Sequence, residues 1–417
     1  MLAGCLLLSF LSAAAPAAPI YYCDLSGLHA LDRKDPVQAR KAWDTAHLAV
    51  SLQGIVNRES PVLFLRFVDP YTFFRLLKTH QRRQVAAIPP SPAPAKRIKS
   101  FCVDFNWGPE GFAPPGMYAQ ASAREHFEWY QEMGVNTIQT FCVSCPGYAW
   151  YRSEVAPVQP GMQGDFLKEL VELGHGAGMR VMGYFCIGAN SYWNEKRPDL
   201  SHNFPSSISI PFTTAYLDYL EKVIHEAVRK TGIDGFMIDW VYNASRFYPD
   251  REYVWLDCEK QMYQELFGES FPGDAAMDEA RLTEFNKRAT ERCWDRIRSA
   301  AKSANPKCII WLTCYDLQHP MLKGSKMLRE VDWLMNEHPD PAKLEAARSA
   351  VGPHTQIIQC ICGWGDQHNA EKIIKDPKFD GVGLYGFARP DLTTTLPSED
   401  GSGNARNIAA MREAFKK

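Results

Sequence analysis

Two acids stand where the ends of buried strands would place them. Asp239 closes the run Gly232-Ile233-Asp234-Gly235-Phe236-Met237-Ile238-Asp239-Trp240, and Glu337 closes Asp332-Trp333-Leu334-Met335-Asn336-Glu337. Side chains alternate along a strand. Asp239 therefore shares a face with Met237 and Gly235, and Glu337 shares one with Met335 and Trp333. Two carboxyls converging over one pocket are the minimal equipment for glycoside hydrolysis. One attacks the anomeric carbon, and the other hands a proton to the leaving oxygen. The donor has to hold its proton near neutral pH, which burial and a neighbouring negative charge bring about. Asp316, which follows Tyr315 at another strand end, is the substitute for Glu337. In the purely structural alternatives Asp239 caps its own loop, and Glu337 pairs with His338 or an arginine.

These acids need a frame. Strand-like runs occupy 101–105, 137–143, 180–187, 235–240, 308–315, 332–336, 355–362 and 381–387. Helical spacing occupies 121–133, 164–177, 213–230, 279–303, 341–350, 369–375 and 404–415. Gly134 and the stretch Gly176-Ala177-Gly178 supply helix C-caps just before strands. Strands alternating with helices imply a parallel sheet. Eight of them predict an α/β protein with a (β/α)8 TIM barrel, a fold that needs about 250 residues before insertions. An open doubly wound sheet would carry a glycine-rich phosphate loop after its first strand. Here Asn106-Trp107-Gly108-Pro109 stands in that place.

In such a barrel the functional face is the C-terminal rim of the strands. Reading those ends gives Asp104, Trp107, Tyr148, Trp150, Tyr184, Trp240, Tyr242, Tyr315, Asp316, Trp364, Tyr385 and Arg389 as candidate substrate-binding residues. Asp104 reads as a binding residue or as a structural acid at the barrel floor. The tryptophans read equally as sugar platforms and as loop packing. No strand run ends in lysine and the histidines are scattered, which argues against an aldolase or a metal-dependent hydrolase.

The chain has 417 residues, 46% of them hydrophobic, enough for one large domain and a small one. Its formal net charge of −2 does not suggest a nucleic-acid partner. Residues 1–18 resemble a signal peptide, with an apolar run at 6–11 followed by small residues but with no preceding cation. The expected location is secreted or periplasmic. Leu2-Ala3-Gly4-Cys5 has the letters of a lipoprotein box, but it precedes the apolar run. No later stretch resembles a membrane span. Residues 19–87 read as a small accessory α/β segment with helical spacing at 46–57 and a strand at 62–65. The proline-rich stretch 88–98 reads as an extended linker, and 99–417 as the barrel. Of the 12 cysteines, Cys102, Cys142, Cys186, Cys308, Cys314, Cys360 and Cys362 fall in strand runs and read as small core residues. The pairs Cys142/Cys145 and Cys360/Cys362 lack partners at metal-finger spacing, so neither a metal nor a cofactor is expected.

Two resemblances add to this reading. Gly134-Val135-Asn136-Thr137-Ile138 through Tyr148-Ala149-Trp150-Tyr151-Arg152-Ser153 resembles the second barrel unit of α-L-fucosidase-type glycoside hydrolases. So does Leu170-Val171-Glu172-Leu173-Gly174-His175-Gly176-Ala177-Gly178-Met179-Arg180-Val181-Met182-Gly183-Tyr184. Asp234-Gly235-Phe236-Met237-Ile238-Asp239 is similar to their nucleophile strand. The related α-galactosidase and α-glucosidase barrels carry acids on the fourth and sixth strands. The resemblance thus implies Asp239 as nucleophile and Glu337 as acid/base, acting on an α-linked oligosaccharide or polysaccharide with retention. Retention goes with carboxyls about 5–5.5 Å apart, and inversion with roughly 6.5–9.5 Å. Where those fucosidases carry a His-His pair, this chain has Val143-Ser144-Cys145-Pro146-Gly147, so fucose itself is not implied. Leu52-Gln53-Gly54-Ile55-Val56-Asn57-Arg58-Glu59-Ser60-Pro61 resembles the N-terminal domain of the glycosidases named for a GxGYxYP motif, in shortened form and without that motif. The rival expectation is a barrel that binds carbohydrate and has lost catalysis.

Overall fold

The structure is a computed structural model. It describes residues 88–416 except 205–206, 243–253, 364–368 and 399–402, and four short strands before residue 88. The chain divides into two compact units, Met1–Ile88 and Pro89–Lys417. In the first, Leu6–Ser9 pairs antiparallel with Val62–Leu65, and Ile20–Cys23 with Arg82–Val85. The helix expected at 46–57 and all but Leu6–Ser9 of the expected signal segment lie outside the described residues.

The second unit holds a closed parallel barrel. Its strands are β1 (Lys99–Val103), β2 (Thr137–Gln139), β3 (Arg180–Cys186), β4 (Gly235–Asp239), β5 (Ile309–Cys314), β6 (Trp333–Asn336), β7 (Gln356–Cys362) and β8 (Gly383–Ala388). Each pairs with its sequence neighbours, and β8 closes onto β1. All eight coincide with expected strand runs. Helices α1 (Ala123–Met133), α2 (Phe166–Gly176), α4 (Thr214–Thr231), α6 (Glu279–Ala304), α8 (Pro341–Ala350), α9 (Ala370–Lys375) and α10 (Gly403–Phe415) also fall where helical spacing was found. Three more, α3 (Ser191–Lys196), α5 (Asp257–Phe267) and α7 (Lys326–Glu330), lie in connections where none was expected. Among the described residues no helix is long and apolar enough to cross a membrane.

Local chemistry sets the element ends. The side chains of Ser122, Asp165 and Thr213 cap α1, α2 and α4 by accepting backbone N–H bonds from Glu125, Lys168 and Tyr216. Gly134 ends α1 at φ 79°, as expected. At α2 the cap is Ala177, and the left-handed residue is Gly178 at φ 73°. Strand β2 stops short of the expected 143. Past Gln139 the chain still follows β3, but the Cys142 and Val143 N–H groups share the Tyr184 carbonyl, a bulge that bends the chain over the barrel mouth.

Alternation then decides what faces the axis. Trp311 lies edge-on to Trp333 at 5.5 Å and to Tyr385 at 5.3 Å, filling the interior with one aromatic layer. Phe236 and Ile238 of β4 are fully buried on the opposite parity to Met237. Gly235 is required by closeness: a Cβ there would collide with the Ile309 carbonyl and the Met182 side chain. The seven cysteines read as core residues are buried.

Asp234, one residue before β4, does structural work at the N-terminal end of the barrel. Its Oδ2 accepts from the Val181 N–H at 2.7 Å and lies 2.8 Å from His175 Nε2, and its Oδ1 accepts from the Ser91 hydroxyl. His175 Nδ1 lies 2.7 Å from the Pro89 carbonyl. Both imidazole nitrogens face acceptors, a pattern that only the doubly protonated ring satisfies. Burial lowers the His175 pKa, but the Asp234 carboxylate and the Pro89 carbonyl more than offset this and hold it above its ordinary value. The stretch expected as a linker is thereby bonded to the barrel at Pro89 and Ser91. Asp234→Ala is expected to cost about 3 kcal/mol by leaving these groups unpaired, read by urea unfolding. Because the folded His175 pKa is raised, the pair's contribution is complete below an unfolded value of about 6.5 and fades as pH rises through the folded one. The deficit of the variant should shrink accordingly in alkaline buffer.

Candidate active site

The two strand-end acids reach the same space. Asp239 on β4 and Glu337 just after β6 both line a cavity of about 260 Å³ over the barrel axis and a second of about 310 Å³ toward the rim. Trp240 and Thr313 also belong to both, so the cavities meet as two lobes at these four residues. The inner lobe is walled by Asp104, Asn106, Trp107, Gln139, Phe141, Cys145, Tyr184, Tyr385 and Phe387, over a floor of Cys102, Met237 and Met335. The outer lobe is walled by Gly188, Ser209, Tyr242, Cys314, Tyr315, Asp316 and His319.

Each acid is held by specific donors. Tyr184 donates its hydroxyl to Asp239 Oδ2 at 2.9 Å, and the Trp240 N–H donates to Oδ1 at 2.7 Å. That second bond comes from an unusual backbone: Trp240 is left-handed at φ 53°. Its carbonyl packs against Gly188, where any Cβ would collide with it. Glu337 Oε1 accepts from the Thr313 hydroxyl at 2.7 Å. Asp104 Oδ1 accepts from the Asn106 N–H at 2.9 Å.

Burial raises the titration of all three groups. Asp239 is pushed up to about 6 by burial, against the pull of the Tyr184 and Trp240 hydrogen bonds. Glu337 is pushed up to about 7 by burial and then by the charge of Asp239, against the Thr313 hydroxyl. Asp104 is pushed up to about 7 by burial, with the Asn106 N–H opposing, the Asp239 charge adding and Arg389 opposing. Near neutral pH the cavity thus holds an ionised Asp239 beside two acids that retain protons for part of the time. This is the pattern that assigns one carboxyl to attack and another to protonation.

The remaining candidates divide. Trp107, Tyr184, Trp240 and Tyr385 line the inner lobe, and Tyr242, Tyr315 and Asp316 the outer one. Arg389 reaches the site through its charge on Asp104 and sits 6.0 Å over the Trp107 ring. Asp104 stands at the mouth just past β1 and not at the floor. Asp316 is exposed on the rim, its Oδ1 accepting from the Gln318 N–H, a solvated setting unlike that of Glu337. Two candidates face elsewhere. Trp150 is 1% exposed, stacked on Phe105 at 4.2 Å, because the Val143–Ala149 bridge folds its segment back under α2. Tyr148 packs edge-on against Tyr192 at 5.7 Å, outside both lobes. Trp364 lies outside the described residues. Sequence reading missed Gln139, whose Oε1 accepts from the Tyr385 hydroxyl at 2.9 Å, and Thr313. Thr313 is the one polar residue of an otherwise largely apolar strand, and that was the available signal; Gln139 lies in a short strand that also holds Thr137.

Comparison with known proteins agrees with this architecture. Residues 122–240, from the α1 cap to the residue after Asp239, match a family model described as hypothetical glycosyl hydrolase 6. The chain superposes on α-L-fucosidase isoenzyme 2 from Paenibacillus thiaminolyticus with a TM-score of 0.58 at 15% identity, over 77% of this chain and 49% of that one. The barrel is glycoside hydrolase-like. The chain therefore spans about half the length of that fucosidase. Looser matches include an Anoxybacillus α-amylase (TM-score 0.47, 11% identity, 77% of this chain and 78% of that one). An α-L-fucosidase from Bacteroides thetaiotaomicron matches with a TM-score of 0.43 at 14% identity, over 72% of this chain and 60% of that one. No curated protein matches the chain in sequence.

The Tyr184 bond yields a direct test. Tyr184→Phe removes a donor that favours the ionised form of Asp239, so the Asp239 pKa should rise and the acid limb of any pH–rate profile should move to higher pH. A hydrogen bond to a charged group is worth about 1.5–3 kcal/mol. The expected fall in kcat/KM is thus about 10–100-fold, with unfolding midpoints little changed.

Proposed function

We propose that this chain is a glycoside hydrolase that cleaves α-linked glycosides with retention of configuration. The observation that carries the reading is the pair Asp239 and Glu337, two carboxyls on one cavity that burial holds well above the ordinary carboxylate range. Asp239 attacks the anomeric carbon. Glu337 protonates the leaving oxygen and then, as its conjugate base, draws a proton from the water that releases the sugar. Tyr184 and the Trp240 N–H keep the attacking carboxylate oriented and ionised. Thr313 orients Glu337. Asp104 and Asn106 offer acceptors and donors for sugar hydroxyls around the inner lobe, and Gln139 braces the Tyr385 hydroxyl from behind. The match of residues 122–240 to a glycosyl hydrolase model supports the reading. Near neutral pH Asp239 is ionised and Asp104 and Glu337 are ionised for part of the time, so a sugar bearing its own carboxylate would meet like charge in the inner lobe, which favours an uncharged or cationic ring there.

A panel of 4-nitrophenyl α-glycosides of galactose, glucose, mannose and fucose, with the α-glucuronide as the anionic member, tests this. Hydrolysis of a neutral member is expected, with the α-anomer of the sugar appearing first by proton NMR. Preference for the glucuronide would contradict the charge argument, and appearance of the β-anomer would contradict retention. Asp239→Asn is expected to remove turnover by at least about 10³-fold while leaving the circular dichroism spectrum intact. Sugar binding without turnover by the wild-type chain would favour the rival reading of a carbohydrate-binding barrel.

The pH dependence has a fixed sign. Below about 6 Asp239 gains a proton and stops attacking, and above about 7 Glu337 loses the proton it must donate. The profile of kcat/KM should therefore be a narrow bell between these limbs. Glu337→Gln should abolish the alkaline limb, and persistence of that limb would assign it to another group.

A further inference from the structure

The pocket has an internal asymmetry that assigns the two halves of a substrate. We infer that the inner lobe takes the sugar whose bond is cleaved and that the outer lobe takes the leaving group, with Tyr315 as its platform. This rests on the glycosidase reading above and names which face of the site each half occupies.

Three observations carry it. The first is that the acids stand at the waist. Asp239 and Glu337 border both lobes, so a bond cleaved between them has one half of the substrate on each side. The second is charge. Departure of the leaving group leaves positive charge on the ring of the cleaved sugar, in an oxocarbenium-like transition state. Asp104, ionised for part of the time near neutral pH, adds a third carboxyl to the inner lobe, where its charge is little screened, whereas the acid that the outer lobe adds, Asp316, is exposed on the rim and screened by solvent. The inner floor is also formed by the barrel's own buried side chains, Cys102, Met237 and Met335, each no more than 2% exposed, which closes that lobe from below.

The third is the outer lobe's surface. Trp240, Tyr242 and Tyr315 give it aromatic walls. Tyr315 is 54% exposed, and of the exposed large apolar side chains among the described residues, Val254, Tyr315 and Leu392, it is the one that lines a cavity. Its ring is tilted against that of His338 at 4.9 Å, and the side chain lines the lobe. An exposed aromatic beside a catalytic pair suits the apolar face of a second ring, whether the next sugar or an aryl group. Fluoride, as a leaving group, has no such face.

The test compares two leaving groups on one sugar. For the neutral sugar that the wild-type chain hydrolyses best in the panel above, kcat/KM is measured with the 4-nitrophenyl α-glycoside and with the α-glycosyl fluoride. In Tyr315→Ala the ratio of the two values should fall about 10-fold. In Asp104→Asn both values should fall together and the ratio should stay within about 3-fold of wild type. An unchanged ratio in Tyr315→Ala, whether both rates fall or neither does, overturns the assignment of the outer lobe. A ratio shifted by Asp104→Asn as strongly as by Tyr315→Ala overturns the partition. A wild-type chain inert to both probes for every sugar removes the glycosidase reading, and the partition with it. Melting curves of both variants, expected to overlay the wild type, separate these effects from misfolding.

Discussion

Two carboxyls that share one poorly solvated cavity cannot both ionise without cost, and this repulsion organises the site. Burial raises the pKa of Asp239 and of Glu337, and the charge of Asp239 raises Glu337 further. Donors oppose the rise on each: a phenol and a backbone N–H on Asp239, and the Thr313 hydroxyl on Glu337. The fold's task is to hold those donors still. It does so with rigid parts: a tyrosine from the middle of β3, a threonine from β5, and an amide that a left-handed Trp240 turns back onto the carboxylate. Strained backbone beside a reacting group is a recurring device, since packing can over-determine a conformation that the chain alone would avoid.

The barrel supplies this rigidity by alternation. Inward positions on β4, β5 and β6 rise in step: Gly235, Met237 and Asp239, then Trp311 and Thr313, then Trp333, Met335 and Glu337. The lower members pack into a dry interior, and the top members meet at the mouth. The opposite end of β4 is anchored by Asp234 through His175, Ser91 and the Val181 N–H. One five-residue strand thus has a structural acid before it and the proposed nucleophile at its end. The two are distinguished by which end of the barrel they occupy.

Much of this was legible in the sequence. Apolar runs alternating with helical spacing marked all eight strands, and parity picked out Asp239 and Glu337. The connections were less legible. Helix α5 was missed because its pattern sits in a long insertion between β4 and α6, and α3 and α7 span barely more than a turn each. Trp150 and Tyr148 were misplaced for a different reason. A strand end points outward or inward according to how its loop turns, and past the Val143–Ala149 bridge Trp150 enters the core while Tyr148 packs half-buried on Tyr192. Residue type carried no sign of that. Gln139 and Thr313 were passed over because attention went to strand ends, although a lone polar residue at inward parity, as Thr313 is, is the mark of a wall that faces a polar ligand.

The measurement that bears most directly on the account is the titration of the carboxyls themselves, by infrared or carbon-13 NMR difference spectroscopy of the wild-type protein against Asp239→Asn and Glu337→Gln. The account requires Asp239 to titrate near 6 and Glu337 near 7, and Glu337 to titrate at lower pH once Asp239 is neutral. Two carboxyls that titrate independently in the ordinary range near 4 would contradict it.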